Sequence, residues 1–405
     1  MNDRPLRPLV LLSGLAMGGA ERVTVSFVRR LRAMGIDAAV CTVTGRHDGP
    51  LAAELAAAGV PRHDLAARRL ADPWSLIRLL QLLKRERPDV VHAHGQDASI
   101  VADVARRLRA FPLVITRHVM EEPMGDRRQR LRARAACGAL RRADAVVAVS
   151  CAIAQRLAEL SGRPREAIHV IANGIELDRF ADRGLEARAT VRASLGAHPD
   201  EPLVLVPAAL REGKGHEVLL RGLPALRRRV PAVRVLFAGT GEREAALRRE
   251  ARTLGDAVRF LGLRTDIPEL LSACDLVVLP SATRSDGTVE EALPTVLLEA
   301  AAAGRAVVAT RMSGIPEIVV EGDTGLLVPP GDHAALADAI ATLLLDGARA
   351  RAYGAAACRL ARQRFSITTM VARTLDLWGA LVDGRSRGRS VASPLFAWFP
   401  RWNRV

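Results

Sequence analysis

LVLLSGLAMGGAERVTVSFVRRLRAMGIDAAVCTV, residues 9–43, is the stretch from which the fold is read. An unbroken apolar run, LVLLSG (9–14), leads through a glycine-rich turn into a helical stretch near 20–34, and then into a second apolar run, AAVCTV (38–43). Strand, helix and strand at this spacing make a βαβ unit with parallel strands. Continuous apolarity in the strands means that both faces of the sheet are covered. The alternation continues through DVVHAH (89–94), PLVITRH (112–118), ADAVVAVS (143–150) and AIHVIANG (167–174). From about 176 to 201 it breaks into charged and small residues, which read as a linker. A second series follows: PLVLVPAA (202–209), VRVLFAG (233–239), AVRFLG (257–262), DLVVLPS (275–281), AVVAT (306–310) and GLLVP (325–329). The pattern predicts an α/β protein with two Rossmann-like parallel-sheet domains, 1–198 and 199–360. A helix over 361–382 and a basic tail, 383–405, complete the chain. Two such domains are expected to face each other across a cleft, with ligands outside the carboxyl ends of the strands.

Composition narrows the function classes. The chain has 405 residues, 49% of them hydrophobic but only 3% aromatic, so its cores are built from Leu, Val, Ile and Ala. Its formal net charge of +15 calls for an acidic partner: nucleic acid, an anionic membrane surface or a phosphorylated small molecule. Two of the 59 basic residues are lysines, Lys84 and Lys214. The five cysteines are odd in number and contain no C-x-x-C pair, so neither a disulfide framework nor a zinc site is read, and a reducing cytosol is expected. The apolar run after Arg4 and Arg7 is too short for a signal peptide that flows so directly into a turn and helix. No run of about 18 apolar residues predicts a transmembrane helix.

Four motifs follow strands, where ligands of such folds bind. EALPTVLLEA (291–300) places Pro294 in a first helical turn, with Gly304 closing the helix. Glu299 is the one charge in that apolar helix, and a buried carboxylate needs a partner: ribose hydroxyls, or a neighbouring arginine. The N–H groups of the helix start, around Leu293 and Thr295, suit sugar hydroxyls or phosphate. REGKGHEVLL (211–220) holds Lys214 between two glycines at a helix entry, where a compact ammonium suits a pyrophosphate; an ordinary surface turn is the plainer reading. GLAMGGAER (14–22) puts Gly18 and Gly19 before a helix, without the G-x-G-x-x-G fingerprint. The strand ends HAHG (92–95) and TRH (116–118) bring up His118, suited to a sugar hydroxyl or developing charge, though a histidine at a strand end is more often structural. His92 and His94 lack an evident third metal ligand. No D-x-D occurs, so positive charge on a pyrophosphate must come from Lys214, arginines and helix N-termini, with no metal and no cofactor expected.

These residues resemble glycosyltransferase family 4, a retaining family with the GT-B fold, over about residues 8–380. The resemblance rests on the GGAE turn, VVHAHG, TRH, VIANGIELDRF (170–180), the KG loop, FAGTGERE (237–244), the pair Glu291 and Glu299, and TRMSGIPEIVVEGDTGLLVPPGD (310–332). The loop SATRSDGTVE (281–290) resembles a branch that makes exopolysaccharides and other cell-surface polysaccharides. The resemblance implies a nucleotide-sugar donor and a glycan or lipid-linked acceptor. Glu299 would bind ribose, Lys214 the diphosphate, Glu291 the sugar ring at the reaction centre and His118 the transferred sugar. Gly18 and Gly19 would approach phosphate or acceptor, and the final helix would cross back to the first domain. Two departures stand out. Ala208 and Ala209 occupy the positions where the family carries an arginine, with Arg211 as a substitute cation. Pro294 removes one N–H from the usual E-G-F-G.

The segment 125–144 carries seven arginines: 127, 128, 130, 132, 134, 141 and 142. It reads either as a basic helix for anionic lipid or as a solvated face. The first reading puts a cytoplasmic protein peripherally on the cytosolic face of the inner membrane. Rival functions are a nucleotide-sugar epimerase on the same fold, a degenerate non-catalytic homologue motivated by Ala208 and Ala209, and a nucleic-acid binder. The last is disfavoured by the scarcity of aromatic stacking platforms and of any helix-turn-helix or finger signature.

Overall fold

A computed structural model of the chain describes residues 6–15, 18–44, 49–67, 72–118, 126–181, 183–289 and 291–386. Contacts group the chain into two compact units, 1–174 with the segment from Ile367, and Ile175–Ser366.

The first unit carries β1 Pro8–Leu12, α1 Gly19–Ala33, β2 Ala39–Thr42, α2 Pro50–Ala57, β3 Arg62–Asp64, α3 Pro73–Glu86, β4 Val90–His94, α4 Gln96–Leu108, β5 Leu113–Arg117, α5 Arg127–Arg142, β6 Ala145–Ala148, α6 Cys151–Ser161 and β7 Ile168–Val170. Its seven strands pair in parallel in the order β3-β2-β1-β4-β5-β6-β7. Strand order therefore reverses between β1 and β4, where Leu12 lies opposite His94. Such a switch point opens a crevice at the carboxyl ends of the strands. All five residues of β1, β4 and β5 are buried, as continuous apolarity requires.

The second unit carries α7 Gly184–Ser194, β8 Leu203–Val206, α8 His216–Arg229, β9 Arg234–Ala238, α9 Glu244–Ala251, β10 Val258–Gly262, α10 Ile267–Ala273, β11 Leu276–Leu279, α11 Thr295–Ala302, β12 Ala306–Thr310, β13 Gly325–Val328, α12 His333–Leu345 and α13 Gly347–Arg364. The order β10-β9-β8-β11-β12-β13 is again parallel, with its switch point between β8 and β11.

The last helix, α14 Ile367–Ser386, returns to the first unit. Its Trp378 is fully buried and meets Phe27 of α1 edge-on, with ring centroids 5.7 Å apart. A buried aromatic pair of this kind contributes beyond its area.

Three expectations are corrected here. The helix expected over 361–382 is the end of α13 and most of α14, separated at Phe365 and Ser366. The break has a cause: Ile175 N–H donates to Phe365 O at 3.0 Å, and Ile175 bridges Ser366, so this backbone is committed to a neighbouring segment. The linker expected at 176–201 contains α7, whose Arg188 and Arg192 both reach Asp275 and whose residues belong to the second unit. The contact boundary accordingly falls at 174/175, before the expected 198/199. Of the tail expected at 383–405, residues 383–386 belong to α14, and 387–405, with its four aromatic residues, lies outside the described residues.

Candidate functional site

In the second unit the site grows from the turn after β8. Gly215 has φ +69°, and a Cβ there would overlap the carbonyl oxygen of Pro280 at the end of β11. Glycine is thus required both for the left-handed backbone and for the close approach of two strand ends. Ala282 N–H donates to Gly213 O at 2.9 Å, fastening the same two segments. Lys214 is held between these points. Its ammonium donates to Glu291 Oε1 at 2.6 Å, and the two side chains are 14% and 6% exposed. Ser281 Oγ donates to the same oxygen at 2.7 Å, and Thr310 Oγ1 donates to Ser281 O at 2.7 Å. One carboxylate oxygen therefore takes a cation and a hydroxyl, at the ends of β8, β11 and β12. Charge-assisted bonds of this kind are the strong ones.

The loop 281–289 is tied back to the same turn. Ser285 N–H donates to Glu212 Oε1 at 2.7 Å, which holds the Glu212 carboxyl below its usual range. Arg284 stands 3.7 Å from Glu212 and 3.8 Å from Asp286. Arg211 is exposed on the turn. Leu293 is buried just before α11, and Thr295 opens that helix with Pro294 as its uncapped preceding residue. Its first N–H groups are therefore open to a ligand. Glu299 is buried on α11 as read from the sequence.

The first unit holds Gly18, Gly19 and His118. Gly18 precedes α1 in extended conformation with no side-chain cap. A Cβ on it would overlap the Glu21 carboxylate, whose pKa burial raises. A ligand hydroxyl suits that neighbour better than a second anion does.

His118 is buried in a row of histidines that sequence reading set aside. His94 Nδ1 and His118 Nε2 are 2.9 Å apart, with ring centroids 5.2 Å apart and planes 20° apart. The nitrogens thus lie near the line joining the centroids, so the rings meet edge to edge through one proton. Thr24 Oγ1 gives its proton to Ala20 O at 2.8 Å and approaches His94 Nδ1 at 3.4 Å with lone pairs. That favours a proton on His94 Nδ1, which leaves His118 accepting at Nε2 with its own proton on Nδ1. His92 Nε2 pairs with Thr116 Oγ1 at 2.7 Å. Burial lowers all three pKa values, His92 to about 3 and His118 to about 4, the latter despite the side chain of Asn173. The row is neutral at pH 7. Among the described residues no group of three or more His, Cys, Asp or Glu is placed to hold a metal ion.

The structure therefore joins Lys214 to Glu291, and His118 to His94, each within one unit. Ser281, Thr310, Thr24 and His94 carry contacts that the sequence reading did not assign. The signal for the first two is positional, since each ends or follows a strand.

Residues 201–346 match a family model described as glycosyl transferases group 1, and residues 17–179 match one described as Glycosyltransferase Family 4. A D-inositol 3-phosphate glycosyltransferase of Saccharomonospora viridis is 30% identical over 390 residues, 88% of this chain and 87% of that protein. The chain belongs to glycosyltransferase family 4. This family 4 chain is also similar to the GDP-mannose-dependent alpha-(1-6)-phosphatidylinositol monomannoside mannosyltransferase of Mycolicibacterium smegmatis, 36% identical over 252 residues. That match covers 61% of this chain and 64% of the mannosyltransferase's length. Among solved structures, Anabaena HepE in complex with UDP aligns with a TM-score of 0.81 at 25% identity, covering 93% of this chain and 100% of HepE. HepE in complex with UDP-glucose aligns at 0.80 and 26%. Two parallel doubly wound sheets and these neighbours identify the fold as GT-B.

Proposed function

We propose that this protein is a retaining, metal-independent glycosyltransferase that moves a sugar from a nucleotide-sugar donor to a glycan or lipid-linked acceptor in cell-surface polysaccharide synthesis. The observation that carries the reading is the Lys214–Glu291 pair, buried at the switch point of the second sheet beside the open start of α11. HepE with UDP and UDP-glucose, and the mannosyltransferase with its named GDP-mannose and phosphatidylinositol mannoside, support a nucleotide sugar and a lipid-linked acceptor.

In this reading the diphosphate draws on the Lys214 ammonium, with Arg211, the backbone at Leu293 and the first α11 N–H, at Thr295, beside it. Glu299 accepts from the ribose hydroxyls. Glu291, still held by Ser281, faces the sugar ring, where its charge stabilises the cationic character that grows as the bond to phosphate breaks. The acceptor hydroxyl forms its bond to the anomeric carbon on the face the phosphate leaves. Its proton passes to the departing phosphate oxygen, so configuration is retained. His118 contacts the transferred sugar, and Gly18 with Gly19 borders the acceptor. The exposed arginines of α5 bring the protein to an anionic cytosolic membrane face.

The test is transfer of radiolabelled sugar from UDP- and GDP-sugars into a membrane extract, with and without EDTA, followed by the anomeric configuration of the product. Transfer with retention in EDTA is expected. An inverted product or loss of transfer in EDTA contradicts the mechanism.

A further inference from the structure

Lys214 spends its charge on Glu291, and Ala208 and Ala209 bring no cation to the end of β8. Arg211, the remaining cation of that turn, is exposed at its start, so a dianionic diphosphate has room for a further, better-seated positive charge. The adjacent turn, after β9, supplies it. Leu210 N–H donates to Thr240 O and Arg243 N–H donates to Leu210 O, both at 2.9 Å. A Cβ on Gly239 would overlap Ala208 O, and one on Gly241 would overlap Leu210 O, so the two turns lie in backbone contact. This seats Arg243 against the turn that carries Lys214.

Three observations single out Arg243. It is half-buried, and its Nε is buried without a hydrogen-bond partner. Among the described residues no carboxylate pairs with it; the neighbouring Glu244 is taken by Arg248 at 2.8 Å. It stands just before α9, where a cation opposes the helix dipole, so helix stability does not explain it. His216, buried at the start of α8, registers both charges: burial first, then Lys214 and Arg243, push its pKa down to about 4.

We propose that Arg243 is a further cation of this anion site, beside Lys214 and Arg211, and that with Lys214 it holds the diphosphate of the donor. The inference rests on the donor reading above. An arginine fork can hold two phosphate oxygens at once, whereas Lys214 acts as a point charge.

The experiment is calorimetric titration of the full-length protein and its Arg243→Gln variant with UDP, GDP, UMP and GMP, with melting of both proteins without ligand. Arg243→Gln is expected to weaken the bound diphosphate on the order of ten- to a hundredfold. The matching monophosphate should weaken far less, with unliganded melting unchanged. Adding Ala209→Arg to the variant should recover much of the loss, because Ala209 borders the same turn. Equal loss for mono- and diphosphate together with lower melting would mean a structural role and overturn the inference. Unchanged diphosphate affinity in the variant overturns it alone. A wild-type protein that binds neither UDP nor GDP overturns the donor reading and this inference with it.

Discussion

Glu291 accepts from an ammonium and a hydroxyl through a single oxygen, and this defines what it can do. The carboxylate is oriented before any ligand arrives, as electrostatic stabilisation of a transition state requires. Replacing it with glutamine keeps shape but removes charge. Glu291→Gln is expected to lower transfer by about two to three orders of magnitude while leaving nucleotide affinity within a few fold. Glu299→Ala should do the reverse, weakening nucleotide binding at unchanged melting temperature. The two variants titrated with nucleotide and assayed for transfer check both statements; exchanged phenotypes would exchange the roles. Glu299 stood out because a lone carboxylate in apolar sequence is conspicuous, whereas Glu291, which follows Glu290, was reached only through the family resemblance. Ser281 and Thr310 were not legible, since a hydroxyl at a strand end is commonplace until the fold brings three strand ends together. His94 was set aside for want of a third metal ligand, although its partner is another histidine.

The strands were the most legible elements, because buried parallel strands are continuous apolar runs. β3 was missed: three residues, Arg62–Asp64, on a sheet edge carry no apolar run. α7 hid in a charged segment because its arginines are spent on Asp275 rather than on solvent. The β4–β5 histidine row makes an element-scale prediction. His92 and His118 titrate at about 3 and about 4 in the fold, and near 6.5 when unfolded. Between about pH 6.5 and 4 the unfolded chain binds protons that the fold refuses, so stability is fully present above pH 6.5 and falls as pH is lowered. Each such histidine removes up to about 1.4 kcal/mol per pH unit. Urea unfolding at pH 7 and pH 5 should show this loss, and His92→Phe should reduce it. An acid slope unchanged by that substitution contradicts the neutral row.

At the scale of the whole molecule, a net charge of +15 has to find an outlet. Part of it is spent internally: Arg132 pairs with Asp97, and Arg142 with Asp103. Arg127, Arg128, Arg130 and Arg134 of α5 are exposed, as is Leu131 between them. Among the described residues no helix is long and apolar enough to cross a membrane. If these arginines meet lipid, the protein should sediment with phosphatidylglycerol vesicles at low salt and release them at high salt. Replacing the four arginines with glutamine should weaken this, whereas equal sedimentation with phosphatidylcholine would contradict it. The central claim, a nucleotide-sugar site built on Lys214, Glu291 and Glu299, is tested most directly by a thermal-shift panel. The panel comprises UDP, GDP, ADP and TDP with their common sugar conjugates, with short DNA as control. The account predicts stabilisation by one nucleotide family and its sugar conjugate, lost in Lys214→Ala. Stabilisation by DNA alone, or by no nucleotide at all, would contradict it.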